Sequence, residues 1–126
     1  MRNYSIDHLL GLLGTANVVN NDADTYKRPN VAAPDSFDAR EQWGDWIHPI
    51  RDQAQCGSCW AFGATEALSD RFAIASQGSI DVVLSPQDMV SCDTIDYGCS
   101  GGYLYFAWYY LTNTGTVADT CVSYKS

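Results

Sequence analysis

Two cysteines near the middle of the chain, Cys56 and Cys59, are separated by two residues in the stretch QCGSCWAF. This spacing is typical of a redox pair, of half a zinc site, or of a nucleophilic thiol beside a structural cysteine. A redox pair of the thioredoxin kind is expected within a pattern of parallel strands, but the preceding WGDWIHPIRDQAQ contains a proline and scattered charges. A four-cysteine zinc site requires a second close pair, and Cys92 and Cys99 are too far apart for one. The redox and zinc hypotheses are therefore weak, although the residues alone do not remove them.

The nucleophile hypothesis agrees with the cysteine count. The chain has five cysteines, so two disulfides would leave one free thiol. Cys59 falls in the first turn of a predicted helix, whose positive end favours a thiolate. A nucleophilic cysteine also needs a general base, and the only histidines are His8 and His48. His48 precedes a proline in a loop, where a histidine usually has a surface or packing role, so we do not expect it to be the base.

The helix that would position Cys59 is predicted over residues 58–76. Ser58 can cap its start, and Gln77 with Gly78 can end it. Gly63 weakens this helix and indicates close packing. Apolar residues recur on one face at three- and four-residue steps: Trp60, Ala64, Ala67, Leu68, Phe72 and Ala75.

Two further helices are predicted. The first begins in LSPQDMVSC, with Ser85 as cap and Pro86 at the first helical position. The second spans 103–112 and follows the bare-backbone turn CSGGY. Its two faces are both aromatic, so we expect the face with Tyr105, Trp108 and Tyr109 to be buried as well. Residues 80–84 are a candidate short strand, in a chain that is otherwise helical with long loops after residue 57.

Composition limits the function classes. The chain of 126 residues is long enough for one domain, and its net charge of −8 argues against nucleic-acid binding. No apolar run approaches the length of a membrane span, and HLLGLLG is too short for a secretory signal. We expect neither a metal site nor a cofactor. Prolines 29 and 34 mark a boundary between a polar leader and the following domain.

Several segments resemble one family in order and spacing. They are APDSFDAREQW, IRDQAQCGSCWAFGATEALSDR, LSPQDMVSCD and YGCSGGY, which together cover most of residues 33–110. They are similar to the mature N-terminal half of papain-type cysteine proteases of the cathepsin B-like branch. The resemblance implies an α+β papain-like fold, of which this chain contains the mainly α-helical left domain, with long loops, at residues 29–126. Residues 1–28 resemble the tail of a prosegment that blocks the cleft, with a maturation cut between about residues 25 and 33.

The resemblance also implies site residues. Cys59 matches the nucleophile, and Gln53 matches the side-chain donor of the oxyanion hole. The substrate-binding positions are Gly101, Gly102, Tyr103 and Trp60, although Trp60 is expected mainly to pack the nucleophile helix. The implied disulfides are Cys56–Cys99 and Cys92–Cys121. An additional bridge of the cathepsin B type is not expected, because Trp46 and Ala73 stand at its two positions.

The same resemblance implies a function and its missing parts. The full reaction would be hydrolysis of peptide and protein substrates, in a zymogen of an acidic lysosome- or vacuole-like compartment or a secreted one. The histidine base and its asparagine would belong to a second, β-rich domain that this chain lacks, so we expect the chain alone to be inactive. Two alternatives remain: an inactive truncated or light-chain protein that binds peptides or partners, and a thiol-disulfide oxidoreductase that uses Cys56 and Cys59.

Overall fold

The computed structural model of the protein describes residues 13–15 and 32–125. Within these ranges the chain forms four α-helices and two 3₁₀ turns, and no strand. The helices are α1 Ala39–Trp43, α2 Cys59–Ala75, α3 Pro86–Cys92 and α4 Leu104–Asn113, and the 3₁₀ turns are Gly44–Trp46 and Gly98–Ser100. This confirms the mainly helical domain. Apart from residues 13–15, the predicted leader and its maturation cut lie outside the described residues, as does His8.

Helix α2 has nearly the predicted bounds. Its C-terminus is closed as expected, because Gln77 and Gly78 both adopt positive φ (52° and 80°) and the Gly78 N–H donates to the carbonyl of Ala73 at 2.8 Å. The start differs in one respect. Ser58 occupies the cap position, but its hydroxyl makes no capping bond and instead contacts the Tyr124 hydroxyl at 2.6 Å.

The core forms where α2 packs against α3 and α4. Its buried side chains are Trp60, Ala61, Ala64, Met89 and Ala107, with Val90, Tyr110 and Leu111 against them. Gly63 does not lie in this core. It is exposed, and a Cβ added to it would meet only Leu104, at 3.9 Å. The expected close packing at Gly63 is therefore wrong.

Local signals explain most of the remaining elements. Ser85 accepts a hydrogen bond from the Asp88 N–H at 3.0 Å and so caps α3 as predicted. Residues 80–84 do not form a strand, since only Leu84 pairs, in a single antiparallel bridge to Ala118. On α4 the second aromatic face is not buried: Tyr105 and Tyr109 are 58% and 52% exposed.

Candidate active site

Cys59 is the first residue of α2 and carries a free, partly exposed thiol. Backbone N–H groups in the first turn of a helix have no partner within the helix, and they make this end of α2 positive. A sulfur anion and a developing oxyanion would both be stabilised here. The Cys59 Sγ is in contact with one residue of the leader, the Thr15 hydroxyl, at 3.0 Å.

Gln53 lies in the loop before α2, as the sequence predicted for an oxyanion donor. Its side-chain amide donates to the carbonyl of Cys56 at 2.9 Å, so the amide is held against the loop that leads to Cys59. Its own backbone carbonyl accepts a hydrogen bond from the Tyr124 hydroxyl at 2.8 Å. Both bonds limit how far Gln53 can move relative to the start of α2.

Tyr124 is a site residue that the sequence reasoning missed. Its hydroxyl bridges the fully buried Ser58 and the backbone of Gln53, and its ring packs edge-on against Phe62 with centroids 4.6 Å apart. The Tyr124 hydroxyl thus connects the cap position of α2 to the loop that carries Gln53. Nothing in the single sequence indicates this role, because Tyr124 is 71 residues away from Gln53 along the chain.

A disulfide joins the nucleophile segment to the segment that precedes α4. The structure contains the Cys56–Cys99 bond, with a Cα–Cα distance of 4.6 Å, and the Gly57 N–H donates to the Cys99 carbonyl at 2.9 Å. Cys59 is therefore the unpaired member of the C-x-x-C stretch. The second expected bridge, Cys92–Cys121, is not formed in the structure, where both cysteines are free and exposed.

Asp88 explains how the structure accommodates Cys92 as a thiol. The Cys92 Sγ lies 3.7 Å from the Asp88 carboxylate, one turn earlier on α3. Loss of water contact and this carboxylate raise the pKa of the Cys92 thiol above its ordinary value. This environment favours the thiol of Cys92 over the thiolate, which is the nucleophilic form.

Gly101 and Gly102 form a bare backbone edge beside the thiol. Gly101 has a positive φ of 116°, which favours glycine. The Gly102 N–H donates to the Gly14 carbonyl of the leader at 2.6 Å, and Thr15 pairs with Gly102 in a parallel bridge. A peptide segment that pairs with Gly102 therefore reaches the sulfur of Cys59 with its next residue.

The residues around Gly102 show why no side chain fits there. A Cβ on Gly102 would come within 2.7 Å of the Trp60 ring and 2.9 Å of the Asp96 carboxyl carbon. Trp60 is itself fully buried and donates from its indole N–H to the Gly98 carbonyl at 3.0 Å. This burial agrees with the expectation that Trp60 mainly packs the nucleophile helix, and its substrate-binding role remains a prediction. Tyr103 is the cap residue of α4 and remains partly exposed at the end of this edge.

His48 is fixed away from any role as a base. Its Nδ1 contacts Asp70 of α2 at 2.7 Å, its Nε2 contacts Asp81 at 2.9 Å, and its backbone N–H also donates to Asp70 at 3.0 Å. Both ring nitrogens are thus engaged by carboxylates. Burial lowers the pKa of His48, but the two carboxylates outweigh it and raise the pKa above its ordinary value of 6.5.

We expect His48 to make the domain more stable in acid. A histidine whose pKa is raised in the folded state stabilises the fold fully when the pH is below its unfolded-state pKa of 6.5. This stabilisation is lost as the pH rises through the folded-state pKa. His48→Gln should lower the free energy of unfolding by about 2 kcal/mol at pH 5, since hydrogen bonds to charged groups contribute about 1.5–3 kcal/mol and Asp81 is partly exposed. Urea unfolding at pH 5 and pH 9 checks this, and an equal loss at both pH values would contradict it.

Among the residues described, no group of three or more side chains is suited to hold a metal ion, and no helix is long and apolar enough to cross a membrane. The expected absence of a cofactor remains a prediction. The chemistry that the site offers resides in its own groups: a thiol at a helix start, an amide beside it, and a glycine edge that pairs with peptide backbone.

Comparison with known proteins gives the family, because the sequence profile of papain family cysteine proteases matches residues 33–126. The chain belongs to the papain family, within its cathepsin B-like branch.

Named relatives agree with this assignment. Over 85 residues the chain is 54% identical to cathepsin B-like cysteine proteinase 4 of Caenorhabditis elegans, covering 65% of this chain and 25% of the relative. It is 40% identical to cathepsin B of Dictyostelium discoideum over 124 residues, covering 97% of this chain and 39% of the relative. The chain thus spans between a quarter and about two fifths of the length of the curated relatives that it matches.

Solved structures give the same fold. The structure of procathepsin B S9 from Trypanosoma congolense superimposes with a TM-score of 0.87 at 26% identity, covering 98% of this chain and 44% of that one. Digestive procathepsin L2 from Tenebrio molitor matches with a TM-score of 0.68 at 35% identity, over 76% of this chain and 30% of that one. Both are procathepsins, and both contain more chain than this one covers.

Proposed function

We propose that this chain is the nucleophile-bearing part of a cysteine peptidase that hydrolyses peptide bonds through an acyl-enzyme on Cys59. One observation carries the proposal. The leader segment that hydrogen-bonds to Gly102 through Gly14 places Thr15 directly against the Cys59 sulfur. An extended substrate held by the same edge would bring its own backbone to the thiol in the same way.

The proposed reaction assigns a role to each group. The Cys59 thiolate attacks the carbonyl carbon of the substrate, and the backbone N–H of Cys59 with the Gln53 amide stabilises the resulting oxyanion. The C–N bond then breaks, the amine leaves with a proton, and a thioester remains on Cys59. Water hydrolyses the thioester, which releases the carboxylic acid and restores the thiol.

Among the described residues, none is assigned to donate the proton that the leaving amine needs. His48 is the one histidine among the residues described, and both of its ring nitrogens are bound to aspartates. General acid–base help is worth about 10²–10⁴-fold in rate. We propose that the base comes from a β-rich second domain, and that this chain alone turns over substrate poorly.

We also propose that the leader inhibits the site in a zymogen. Gly14 lies between the two sides of the cleft, where its carbonyl accepts from Gly102 and a Cβ on it would overlap the carbonyl oxygen of Gly57. A larger residue therefore does not fit at this position. The leader is held by backbone contacts like those proposed for substrate, and the Thr15 hydroxyl covers the sulfur of Cys59.

Alkylation of the full chain with iodoacetamide tests both proposals. Gly14→Ala is expected to displace the leader and raise the rate of Cys59 alkylation by about 10–100-fold, because a backbone overlap costs about 1–3 kcal/mol and 1.4 kcal/mol corresponds to tenfold. Peptide mapping by mass spectrometry assigns the label to Cys59, Cys92 or Cys121. In this variant Cys59 should react first.

Gly63→Ala is the matched control for that experiment. It adds the same methyl group on α2 where space is open, so the alkylation rate of Cys59 should stay within about twofold. If Cys59 reacts no faster than Cys121 in Gly14→Ala, the nucleophile proposal is wrong. If Cys59 reacts equally fast in the parent chain and in Gly14→Ala, the inhibitory role of the leader is wrong.

The two other functions are less well supported. A dithiol oxidoreductase would use Cys56 as the partner of Cys59, but Cys56 is bonded to Cys99 in the structure. A non-enzymatic protein would bind peptides along the same glycine edge as the peptidase. This alternative predicts that Cys59 forms no covalent bond with the peptide. For the location of the protein we propose an acidic or secretory compartment, supported by the disulfide and by the acid-favouring environment of His48.

A further inference from the structure

Two buried aspartates, Asp93 and Asp96, lie beneath the glycine edge and have no role in the proposed chemistry. They are only 5% and 6% exposed. One oxygen of each is satisfied by backbone: the Asp93 Oδ1 accepts from the N–H groups of Ile95 and Asp96, and the Asp96 Oδ1 accepts from the Tyr103 N–H at 2.7 Å. The Oδ2 atom of each is buried and has no hydrogen-bonding partner among the described residues.

Two buried carboxylates side by side cannot both be ionised without a large cost in free energy, because each loses water and repels the other. The two residues are in contact, since the Asp93 Oδ1 accepts from the Asp96 N–H at 3.3 Å, and one proton held by the pair removes this cost. Burial raises the pKa of Asp96 above its ordinary value of 3.8, and the negative charge of Asp93 and the hydrogen bond to it raise it further, against the lowering effect of the Tyr103 N–H. The buried, unpartnered Oδ2 atoms and the raised pKa of Asp96 therefore both agree with one proton on the pair.

We propose that Asp96 is a positioning residue for the Gly101–Gly102 edge, acting as one half of a carboxyl pair with Asp93 that holds a single proton. The proposal rests on the proposed function, in which this edge pairs with substrate backbone. The loop that carries the edge closes on itself through two bonds, from the Tyr103 N–H to Asp96 and from the Tyr97 N–H to the Gly101 carbonyl.

This arrangement fixes the direction of the edge. The Gly101 carbonyl is used inside the loop, the Asp96 carboxyl carbon lies directly beneath Gly102, and the Gly102 N–H is left to point at the peptide in the cleft. A shift of the Asp96 carboxyl group would therefore be transmitted to the N–H that binds peptide. Trp60, the neighbour from α2, is uncharged, and its ring lies with the Asp96 carboxyl group where a Cβ of Gly102 would be.

Three further titratable groups lie on α3 and α4, and one of them, Tyr110, faces Asp93. Asp88 and Cys92 lie on α3, and Tyr110 lies on α4. Burial raises the pKa of Tyr110, and the charges of Asp88, Cys92 and Asp93 raise it further, so this phenol stays neutral in acid. The Cys92 thiol also stays neutral, as described above. Neither the Tyr110 phenol nor the Cys92 thiol therefore changes charge in the acidic range.

The sign of the pH effect follows. A carboxylic acid whose pKa is raised in the folded state stabilises the fold fully when the pH is below its unfolded-state pKa of 3.8. This stabilisation is lost as the pH rises through the folded-state pKa. Above that pH the two carboxylates repel one another under the glycine edge. The edge should then be less ordered and hold peptide more weakly, so the pair favours peptide binding in acid.

Nuclear magnetic resonance of the full chain tests the pair without any catalytic assay. In a pH titration the Asp96 carboxyl carbon should show a midpoint above 3.8, and the amides of Gly102 and Tyr103 should shift with the same midpoint. The hydrogen-exchange protection factor of Gly102, whose N–H bonds to Gly14, should fall about tenfold across that midpoint. An Asp96 midpoint at or below 3.8, or amides that do not follow it, would overturn the proposal.

Two variants separate positioning from mere packing. Asp96→Asn keeps an oxygen for the Tyr103 N–H and adds a permanent donor toward Asp93, so the Gly102 protection should persist and lose its pH step. Asp93→Asn supplies a donor to Asp96 and should lower the Asp96 midpoint toward 3.8. The exposed Asp35→Asn is the matched control and should leave both titrations unchanged. A pH step that survives in Asp96→Asn would contradict the role of the pair, whereas failure of Cys59 to react with iodoacetamide would contradict only the proposed function.

Discussion

Peptide hydrolysis by a protease that contains this chain is expected to fall by about 10⁴-fold or more when Cys59 is replaced by serine, as is typical when a catalytic nucleophile is removed. The hydroxyl that replaces the thiol is far less acidic, so the anion that attacks the carbonyl becomes scarce. The α2 start, the Cys56–Cys99 bond and the glycine edge do not depend on the sulfur of Cys59 and should remain in place. A dipeptidyl fluorogenic substrate measures kcat and KM for the parent and the variant.

The same assay has two internal controls. Cys121→Ser removes another free, exposed thiol and should leave kcat/KM within about twofold. KM should change little in Cys59→Ser, because the residues proposed to bind substrate are untouched. Turnover that persists in Cys59→Ser, or that is lost equally in Cys121→Ser, would show that the reaction does not proceed through Cys59.

Removal of the Cys56–Cys99 disulfide should give the largest change in stability. Its ends are 43 residues apart, and the entropy of closing a loop of that length in the unfolded chain corresponds to about 4 kcal/mol. The double variant Cys56→Ser with Cys99→Ser should therefore unfold about 4 kcal/mol more easily in urea. Because small domains have only about 5–15 kcal/mol in total, it should be close to unfolding at 37 °C.

The pair Cys92→Ser with Cys121→Ser is the matched comparison. In the structure both cysteines are free and exposed, so this double variant should change the free energy of unfolding by less than about 0.5 kcal/mol. A loss comparable to that of the first pair, together with a Cys92–Cys121 peptide in non-reducing mass mapping, would instead support the bridge that the family resemblance implies.

The sequence predicted those elements that have strong local signals. The bounds of α2 follow from a clear helical period and from Gln77 with Gly78 at its end. The start of α3 follows from Ser85 and Pro86, which favour a helix start on their own. Cys59 and Gln53 were predicted as site residues because their spacing belongs to a family pattern, and the structure places Gln53 in the loop before Cys59. These features need only a short stretch of chain to define them.

The features that the sequence missed depend on distant residues. Tyr124 joins Ser58 to Gln53 across more than 60 residues, and this contact also explains why the Ser58 hydroxyl does not cap α2. The helical period of α4 places aromatic residues on two faces and does not indicate which face packs against the core. In the structure the face with Tyr105 is exposed. Trp60 was expected mainly to pack the nucleophile helix, and its side chain is fully buried in the core.

The connection between Cys56, Gly57 and Cys99 has a mechanical consequence. The Cys56–Cys99 disulfide and the adjacent hydrogen bond from the Gly57 N–H to the Cys99 carbonyl hold the start of α2 against the segment that leads into the glycine edge. A hinge requires two segments that can rotate apart, and these two cannot do so while the disulfide is intact. The disulfide and the hydrogen bond therefore fix the position of the Cys59 sulfur relative to the N–H of Gly102, which pairs with the backbone of the leader.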